Sequence, residues 1–139
     1  MTYRYSAGLQ AAIYERLAGD AALGELIGDA IYDAPLDEPE NAARDHITLG
    51  DESIRSFDTK TSFGAIHDFN VRVHSARDGF ETAKRIAAVV CAALVDAPLT
   101  LAGGRLVSTR FLRAKAERGA APEKRRISLL FRAVVDQSN

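Results

Sequence analysis

Alternating apolar and polar residues mark a strand near the middle of the chain. Phe69, Val71 and Val73 alternate with polar residues, and this period of two is typical of a sheet with one buried face. The polar positions are Asp68, Asn70, Arg72 and His74. The pattern predicts a strand over residues 66–74 whose apolar side faces a hydrophobic core.

A helical pattern follows this strand, from Phe80 to about Val95. Apolar residues recur there at helical spacing, at Ala83, Ile86, Ala87, Val90, Cys91 and Leu94. Asp78 and Glu81 have the spacing of an N-terminal capping pair, and Pro98 stands just beyond the end of the pattern. We therefore expect a helix that packs beside the central strand.

The second half of this helix carries no polar residue on any face. Residues 86–95 read Ile-Ala-Ala-Val-Val-Cys-Ala-Ala-Leu-Val, whereas a helix on the surface of a small monomer normally keeps a solvated stripe. Two interpretations fit the pattern equally well. Either the back of the helix is mostly alanine, which water tolerates, or it packs against another subunit.

Two further helices are predicted before the central strand. An apolar stripe from Leu9 to Leu17 forms the first, with Ser6 as its expected cap and Gly19 as its end. A second short turn or helix follows at residues 20–27, and Gly28 ends it. Together with the central helix, these two are expected to cover one face of a sheet.

The other strands are predicted by apolar runs at residues 30–32, 46–49, 105–112 and 127–135. The second of these runs is expected to pair with the central strand, and the last two with each other. The connections at residues 51–64 and 113–126 are long, and long loops are usually functional or disordered. The sequence thus predicts one α+β domain over residues 1–139: a mainly antiparallel sheet with helices packed on one face and two long inter-strand loops.

The composition is that of a soluble globular protein. Of 139 residues, 47% are hydrophobic and 27% charged, which suffices for a core without disulfides or metals. The single cysteine excludes a disulfide framework and fits a reducing compartment. The N-terminus lacks the apolar segment of a signal peptide, and the longest apolar run, residues 86–95, is too short to span a bilayer. We expect a chain that is cytosolic where it is made and does not contact a membrane.

Charge is distributed unevenly, although the net charge is only −1. Residues 20–58 hold eleven Asp or Glu against two Arg, and residues 105–126 hold eight Lys or Arg against two Glu. Such opposed halves either neutralise each other within the fold or match head to tail between identical neighbours, as in a ring.

Residues that could carry chemistry are few. His46, His67 and His74 are predicted on strands, where the spacing of the last two puts them on opposite faces, so we expect surface or interface histidines and no metal site. Cys91 lies in an apolar run and is expected to be a packed thiol. The chain has no nucleophile elbow, phosphate-binding loop or zinc-protease motif. The sequence therefore predicts neither an enzyme nor a cofactor.

The basic segment of residues 113–126 is the candidate for nucleic-acid binding. It has no aromatic residue to stack on bases, and Ala and Glu interrupt its positive charges. A solvated hairpin tip or a partner-docking arm explains it better. Two alternatives stay open: a small α+β ligand-binding domain, which needs a pocket with convergent polar groups, and a nucleic-acid-binding module.

Three blocks of the sequence resemble a known family. They are residues 31–50, which end in Ile-Thr-Leu-Gly, residues 67–94, which contain His-Ser-x-x-x-Gly, and residues 101–110 with the strand that follows. Their order and content are similar to the small tail-completion, or tail-terminator, proteins of long-tailed phages, prophages and gene transfer agents. The resemblance covers residues 6–135. The sequence departs from the common form before His46, where Asp45 stands in place of the usual Pro-Tyr pair.

The resemblance implies a structural virion protein that forms a ring, usually of six subunits. Such a ring caps the finished tail tube in the neck of the particle and joins the tail to the head-side connector. The implied partners are other copies of the chain, the tail tube protein and a connector or stopper protein. DNA would pass through the lumen without specific binding, and assembly would take place in the host cytoplasm.

Two sets of residues follow as candidate sites, neither of them catalytic. The long loops are expected to bind partners through Ile54, Phe57, Phe63, Arg113, Lys115 and Arg118. The lumen is expected to be polar or acidic, because a basic wall would hold the DNA that must slide past it. The candidates for the lumen are Asp51, Glu52, Asp58 and Asp68.

Overall fold

Three helices and five strands make up the described part of the chain. The computed structural model describes residues 3–34, 44–58, 63–77, 79–101, 103–118 and 125–137. In chain order the elements are α1 (Ser6–Ala18), α2 (Ala21–Ile27), β1 (Ile31–Tyr32), β2 (His46–Asp58), β3 (Phe63–Ser75), α3 (Glu81–Leu94), β4 (Gly104–Arg118) and β5 (Arg125–Gln137). This is the α+β fold that the sequence predicts.

The strands form one sheet in the order β1-β2-β3-β5-β4. β1 runs parallel to β2, and every other neighbouring pair is antiparallel. The predicted central strand, β3, therefore lies in the middle of the sheet, between β2 and β5. The short β1 and the long β4 form its two edges.

A hydrophobic core lies between the helices and one face of the sheet, which we call the covered face. Phe69, Val71 and Val73 of β3 point into it, as their alternation predicts, and α3 lies across them with α1 and α2 at its side. The neighbouring strands add Ile47, Ile127, Leu129, Phe131, Ala133 and Val135. Burying a large apolar side chain contributes roughly 1.5–3 kcal/mol, so this layer dominates the stability of the fold.

The back of α3 is exposed in the single chain and consists of small residues. Ala88 and Ala92 are exposed, and Val89 and Cys91 are half-buried. The core side of the helix is formed by Ala83, Ile86, Ala87, Val90, Ala93 and Leu94. The alanine interpretation accounts for the isolated chain, and a subunit contact on this helix stays a prediction.

The helix starts differ from the predictions made for them. Ser6 is the first residue of α1 and makes no cap; its hydroxyl donates instead to the carboxylate of Glu52, at 2.6 Å. The N-cap of α3 is Phe80, without a side-chain cap hydrogen bond, and the predicted cap Asp78 lies outside the described residues. Glycines follow the ends of α1 and α2, as predicted.

The segments predicted as long loops are largely strand. β2 continues to Asp58 and β3 begins at Phe63, while β4 continues to Arg118 and β5 begins at Arg125. The prediction was wrong because these strand ends have no apolar face: residues 51–53, 55–56 and 113–116 are all exposed. The remaining connections, residues 59–62 and 119–124, lie outside the described residues.

The two hairpins end at opposite ends of the sheet. The first, β2–β3, closes after Asp58, and the second, β4–β5, closes after Arg118. β3 and β5 are antiparallel and pair continuously from Gly64 to Ser75, so the hairpins point in opposite directions. At about 3.3 Å per residue, this pairing separates their closing ends by about 40 Å.

Candidate docking surfaces

The face of the sheet opposite the described helices, which we call the open face, carries ion pairs at its centre. Arg132 on β5 donates from Nε and Nη2 to the two carboxylate oxygens of Asp68 on β3, at 2.8 and 3.0 Å. These hydrogen bonds hold the pKa of Asp68 below its ordinary value. Beside this pair, Arg72 Nη2 donates to Asp51 Oδ2 at 3.1 Å. The two lumen candidates on this face therefore each neutralise an arginine.

An irregularity in β2 brings Asp51 to this position. The pairing of β2 with β3 shifts between Leu49 and Glu52, as in a β-bulge, and Asn70 donates to the backbone carbonyl of Asp51. A Cβ atom at Gly50 would overlap the guanidinium of Arg72. The glycine that ends the Ile-Thr-Leu-Gly block thus leaves room for the side chain of Arg72 on the neighbouring strand.

Glu52 faces the other way. Its register partner is Phe69, whose side chain is in the core, and its carboxylate accepts hydrogen bonds from the hydroxyls of Tyr3 and Ser6. Glu52 thereby ties the start of α1 to β2. The four lumen candidates do not share one surface: Asp51 and Asp68 lie on the open face, Glu52 contacts α1, and the side chain of Asp58 is outside the described residues.

The docking candidates of the first hairpin lie on strands and not in a loop. Phe63, the first residue of β3, is 55% exposed, which is unusual for so large an apolar side chain. Ile54 is half-buried beside His67, its register partner. The side chain of Phe57 is not among the described ones. This hairpin end therefore presents at least one large apolar side chain to solvent.

The docking candidates of the second hairpin lie along the edge strand β4. Arg113, Lys115 and Arg118 are all exposed. Lys115 Nζ is 3.7 Å from a carboxylate oxygen of Glu117, which Arg126 already holds at 2.7 Å and whose pKa is lowered by that hydrogen bond. Phe63 and Arg118 thus lie at opposite ends of the sheet, whereas Arg113 lies near its middle, level with Asn70.

The prediction of surface or interface histidines is wrong, because His46, His67 and His74 are all buried within the chain. The rings of His46 and His74 stack with their centroids 4.5 Å apart, as cross-strand neighbours on β2 and β3. His46 Nδ1 donates to the carbonyl of Arg44 at 2.6 Å, and Thr48 Oγ1 lies 2.7 Å from His74 Nε2. Their role is to pack one end of the open face.

His67 lies on the opposite face from His74, as the spacing predicts. It is fully buried in the core, and within the described part of the chain neither ring nitrogen has a hydrogen-bond partner. Burial lowers the pKa of this imidazole, and the nearby negative charge of Glu52 opposes the change. His67 is therefore neutral in the fold near pH 7. The sequence gives no sign of this burial, because histidine fits either face of a strand.

Asp45, where the sequence departs from the common family form, closes the turn after β3. Its carboxylate accepts a hydrogen bond from Ser75 Oγ at 2.7 Å and one from Arg77 Nε at 3.1 Å. The backbone N–H of Arg77 also donates to Ser75 Oγ. The acidic residue thus holds the strand-to-helix turn that contains the His-Ser-x-x-x-Gly motif.

A groove of about 530 Å³ runs between α1 and the β1 edge of the sheet. Its apolar lining includes the buried Ile31 and the half-buried Leu49. Its polar and aromatic lining consists of Gln10, Tyr14, Glu15, Tyr32 and Asp33. Both carboxylates and Tyr14 are exposed, so the groove is an accessible, negatively charged surface.

Within the described residues, no group of three or more His, Cys, Asp or Glu is placed to hold a metal ion. Burial raises the pKa of the Cys91 thiol, which disfavours the nucleophilic thiolate. None of the described helices is both long and apolar enough to cross a bilayer.

Comparison with known proteins agrees with the resemblance seen in the sequence. The family described as "Tail completion protein gp17" matches residues 11–136. A solved chain from the "Virion of native gene transfer agent (GTA) particle" is similar with a TM-score of 0.87 and 46% sequence identity, over 97% of this chain and 99% of that one. No curated protein matches the chain. The chain therefore belongs to the tail completion protein gp17 family, and it is a structural protein of the virion tail.

Proposed function

We propose that this protein forms a closed ring, of six subunits, that terminates the tail tube and joins the tail to the head-side connector or stopper protein. Its function then resides in surfaces and symmetry and not in catalysis. Membership of the tail completion family supports this role, as does the similarity to a chain of a gene transfer agent virion.

One structural observation carries the joining role: the two hairpins reach opposite ends of the same sheet. A subunit that links two different partners needs two separate contact regions, and here they lie about 40 Å apart. If the strands run roughly along the axis of the ring, one hairpin reaches the tube and the other reaches the connector. Phe63 and Ile54 would serve the first contact, with Phe57, and Arg118 would serve the second.

We further propose that the lumen is polar without being strongly basic, so that DNA slides through it. The middle of the open face suits this, because Asp51 and Asp68 each neutralise an arginine there, whereas the cations of β4 lie at the edge of that face. A paired guanidinium attracts phosphate less than a free one. Asp58 is proposed to add negative charge on β2, whereas Glu52 contacts α1 and is not part of this lining. An assembled ring lined mainly by residues 113–126 would contradict this.

The proposal predicts that the protein is present in purified particles and located at the head–tail junction. Gold labelling of a C-terminal tag, viewed by negative-stain microscopy, would show one label position per particle, at the neck. A dilute monomer would not contradict the proposal, because the tube end can template the ring. Absence from particles, or label distributed along the tail, would.

Replacing Phe63 with serine is expected to lower the yield of particles with joined heads and tails by roughly tenfold, while the chain stays folded. An exposed residue adds little to the core, whereas an apolar anchor at an interface contributes about 1–2 kcal/mol or more. Thermal melting of the purified chain and counts of joined particles would measure the two effects.

The matched control is Phe63→Leu, which keeps an apolar side chain at the same position. It should retain at least a third of the joined particles. Normal yield from the folded Phe63→Ser variant would show that this hairpin end does not bind a partner.

A further inference from the structure

The two edges of the sheet carry opposite charge. Exposed carboxylates lie on the β1 side, at Glu15, Asp29 and Asp33. Exposed cations line β4 on the other edge, at Arg105, Arg110, Arg113, Lys115 and Arg118. When one side of a subunit binds the opposite, unlike side of the next copy, the contact repeats head to tail and can close into a ring.

Several of these charges have no ion-pair partner among the residues that the structure describes. Within the described residues, the side chains of Glu15, Asp33, Arg110 and Arg113 form no ion pair, whereas Arg105 is paired with Asp136. Charged residues on an edge strand also discourage random strand pairing. That function does not explain why the opposite edge carries matching carboxylates in a groove.

The groove and the cations lie at the same height along the strands. Across the sheet, Tyr32 pairs with Thr48, Thr48 with Arg72, Arg72 with Ser128, and Ser128 with Lys115. Tyr32 lines the groove at one end of this row, and Lys115 stands at the other end. Neighbouring subunits that are related by rotation about an axis along the strands would therefore have the groove of one and Lys115 of the next at the same height, without any axial shift.

We propose that the groove between α1 and β1 receives the β4 edge of a second copy of this chain. Arg113 and Lys115 of one subunit then meet Glu15 and Asp33 of the next. Tyr14 and Tyr32 offer aromatic faces on which a guanidinium can stack. The proposal rests on the proposed ring and names the surfaces that form it.

The shape of the β4 edge supports this occupant. The residues beside the two cations, Ala114 and Ala116, are exposed and small, so the edge can approach a neighbour closely. The groove combines apolar lining with two carboxylates at its surface, which complements a strand that carries alanines and cations. Nucleic acid does not fit an acidic groove of this kind.

Charge reversal on either side is expected to lower the yield of tail-capped particles by at least about tenfold, because it places like charges against each other. The two variants are Glu15→Lys with Asp33→Lys, and Arg113→Glu with Lys115→Glu. Combining all four substitutions in one chain should restore the yield to within about threefold of the wild type.

The matched control is Glu81→Lys with Arg85→Glu, which reverses an exposed ion pair on α3 and should leave assembly unchanged. Circular dichroism of each purified variant checks that the exposed substitutions leave the fold intact. Normal assembly of either reversed variant would overturn the proposal, as would a fourfold variant that folds but is not rescued.

Cysteine pairs test the same contact inside assembled particles. Asp33→Cys combined with Arg113→Cys should give a disulfide-linked ladder on oxidation, whereas Ala88→Cys combined with Arg113→Cys should not. Treating wild-type particles with an amine-reactive cross-linker tests for the ring independently of these surfaces, because it links subunits without the introduced cysteines. Multimers with the cross-linker but no ladder from the first pair would refute this interface and leave the ring standing. If neither reagent links two copies, both the interface and the ring are wrong.

Discussion

Replacing Phe131 with alanine is expected to reduce the free energy of unfolding by about 3–5 kcal/mol. Phe131 is fully buried on β5; its ring stacks on Phe69 with centroids 5.6 Å apart and meets Phe111 edge-on at 5.9 Å. Removing it leaves a cavity between the middle of the sheet and the helices. Urea unfolding of the purified chain, followed by circular dichroism, would measure the loss.

The matched control is Phe111→Ala, because Phe111 belongs to the same aromatic cluster but is 44% exposed at the β4 edge. Phe111→Ala should lower the free energy of unfolding by only about 1 kcal/mol, since water already reaches that side chain. A chain of this size has roughly 5–15 kcal/mol to lose, so Phe131→Ala comes close to unfolding it. Phe131→Leu, expected to cost about 1–2 kcal/mol, keeps the comparison measurable. Equal losses from Phe131→Ala and Phe111→Ala would show that the core is not centred on β5.

The free energy of unfolding is expected to fall as the pH is lowered from about 7.5 to about 5.5, because His67 is buried and finds no partner for its proton in the described part of the chain. Burial lowers its pKa in the fold below the ordinary value near 6.5. Below about pH 6.5 the imidazole of His67 therefore binds a proton in the unfolded chain but not in the folded one. Stability is full above that pH and is lost as the pH falls toward the folded pKa. One proton corresponds to at most about 1.4 kcal/mol per pH unit.

Urea unfolding at several pH values would measure this dependence, and His67→Leu provides the test. Leucine is apolar and similar in size, so the variant should remain folded and lose this component of the acid sensitivity. The carboxyl group of Asp68, whose pKa is lowered by Arg132, loses its stabilising charge in a separate window below about pH 4. A variant with the wild-type slope between pH 7.5 and 5.5 would show that His67 is not the group responsible.

The centre of the fold could be predicted from the sequence because its signals are local and periodic. The alternation of Phe69, Val71 and Val73 identifies β3, and the spacing of apolar residues identifies α3. Short apolar runs at residues 46–49, 105–112 and 127–135 identify the other long strands of the sheet. The strand ends could not be found in this way, because residues 51–53, 55–56 and 113–116 are exposed on either face. A strand segment that buries neither side shows no alternation of apolar and polar residues in its sequence.

The candidate surfaces were harder to predict than the fold, since they depend on which strands become neighbours. Lys115 and Tyr32 are distant in sequence, and their shared height follows from four successive strand pairings. The placement of Glu52 also depends on one irregularity in β2, which separates it from Asp51. The uneven charge of the chain was visible at once. Its division between the two edges of one sheet was not, because residue order does not give strand order.

The opposed hairpins have a mechanical consequence. A pull between the two ends of the subunit enters β3 at Phe63 and leaves through β5 at Arg125. It therefore acts along two strands whose hydrogen bonds run across the line of force. The twelve residue pairs from Gly64 to Ser75 are loaded in shear, all together, and do not open one after another as in a peeled hairpin. Tension across such a joint would be borne by the whole β3–β5 ladder at the middle of the sheet.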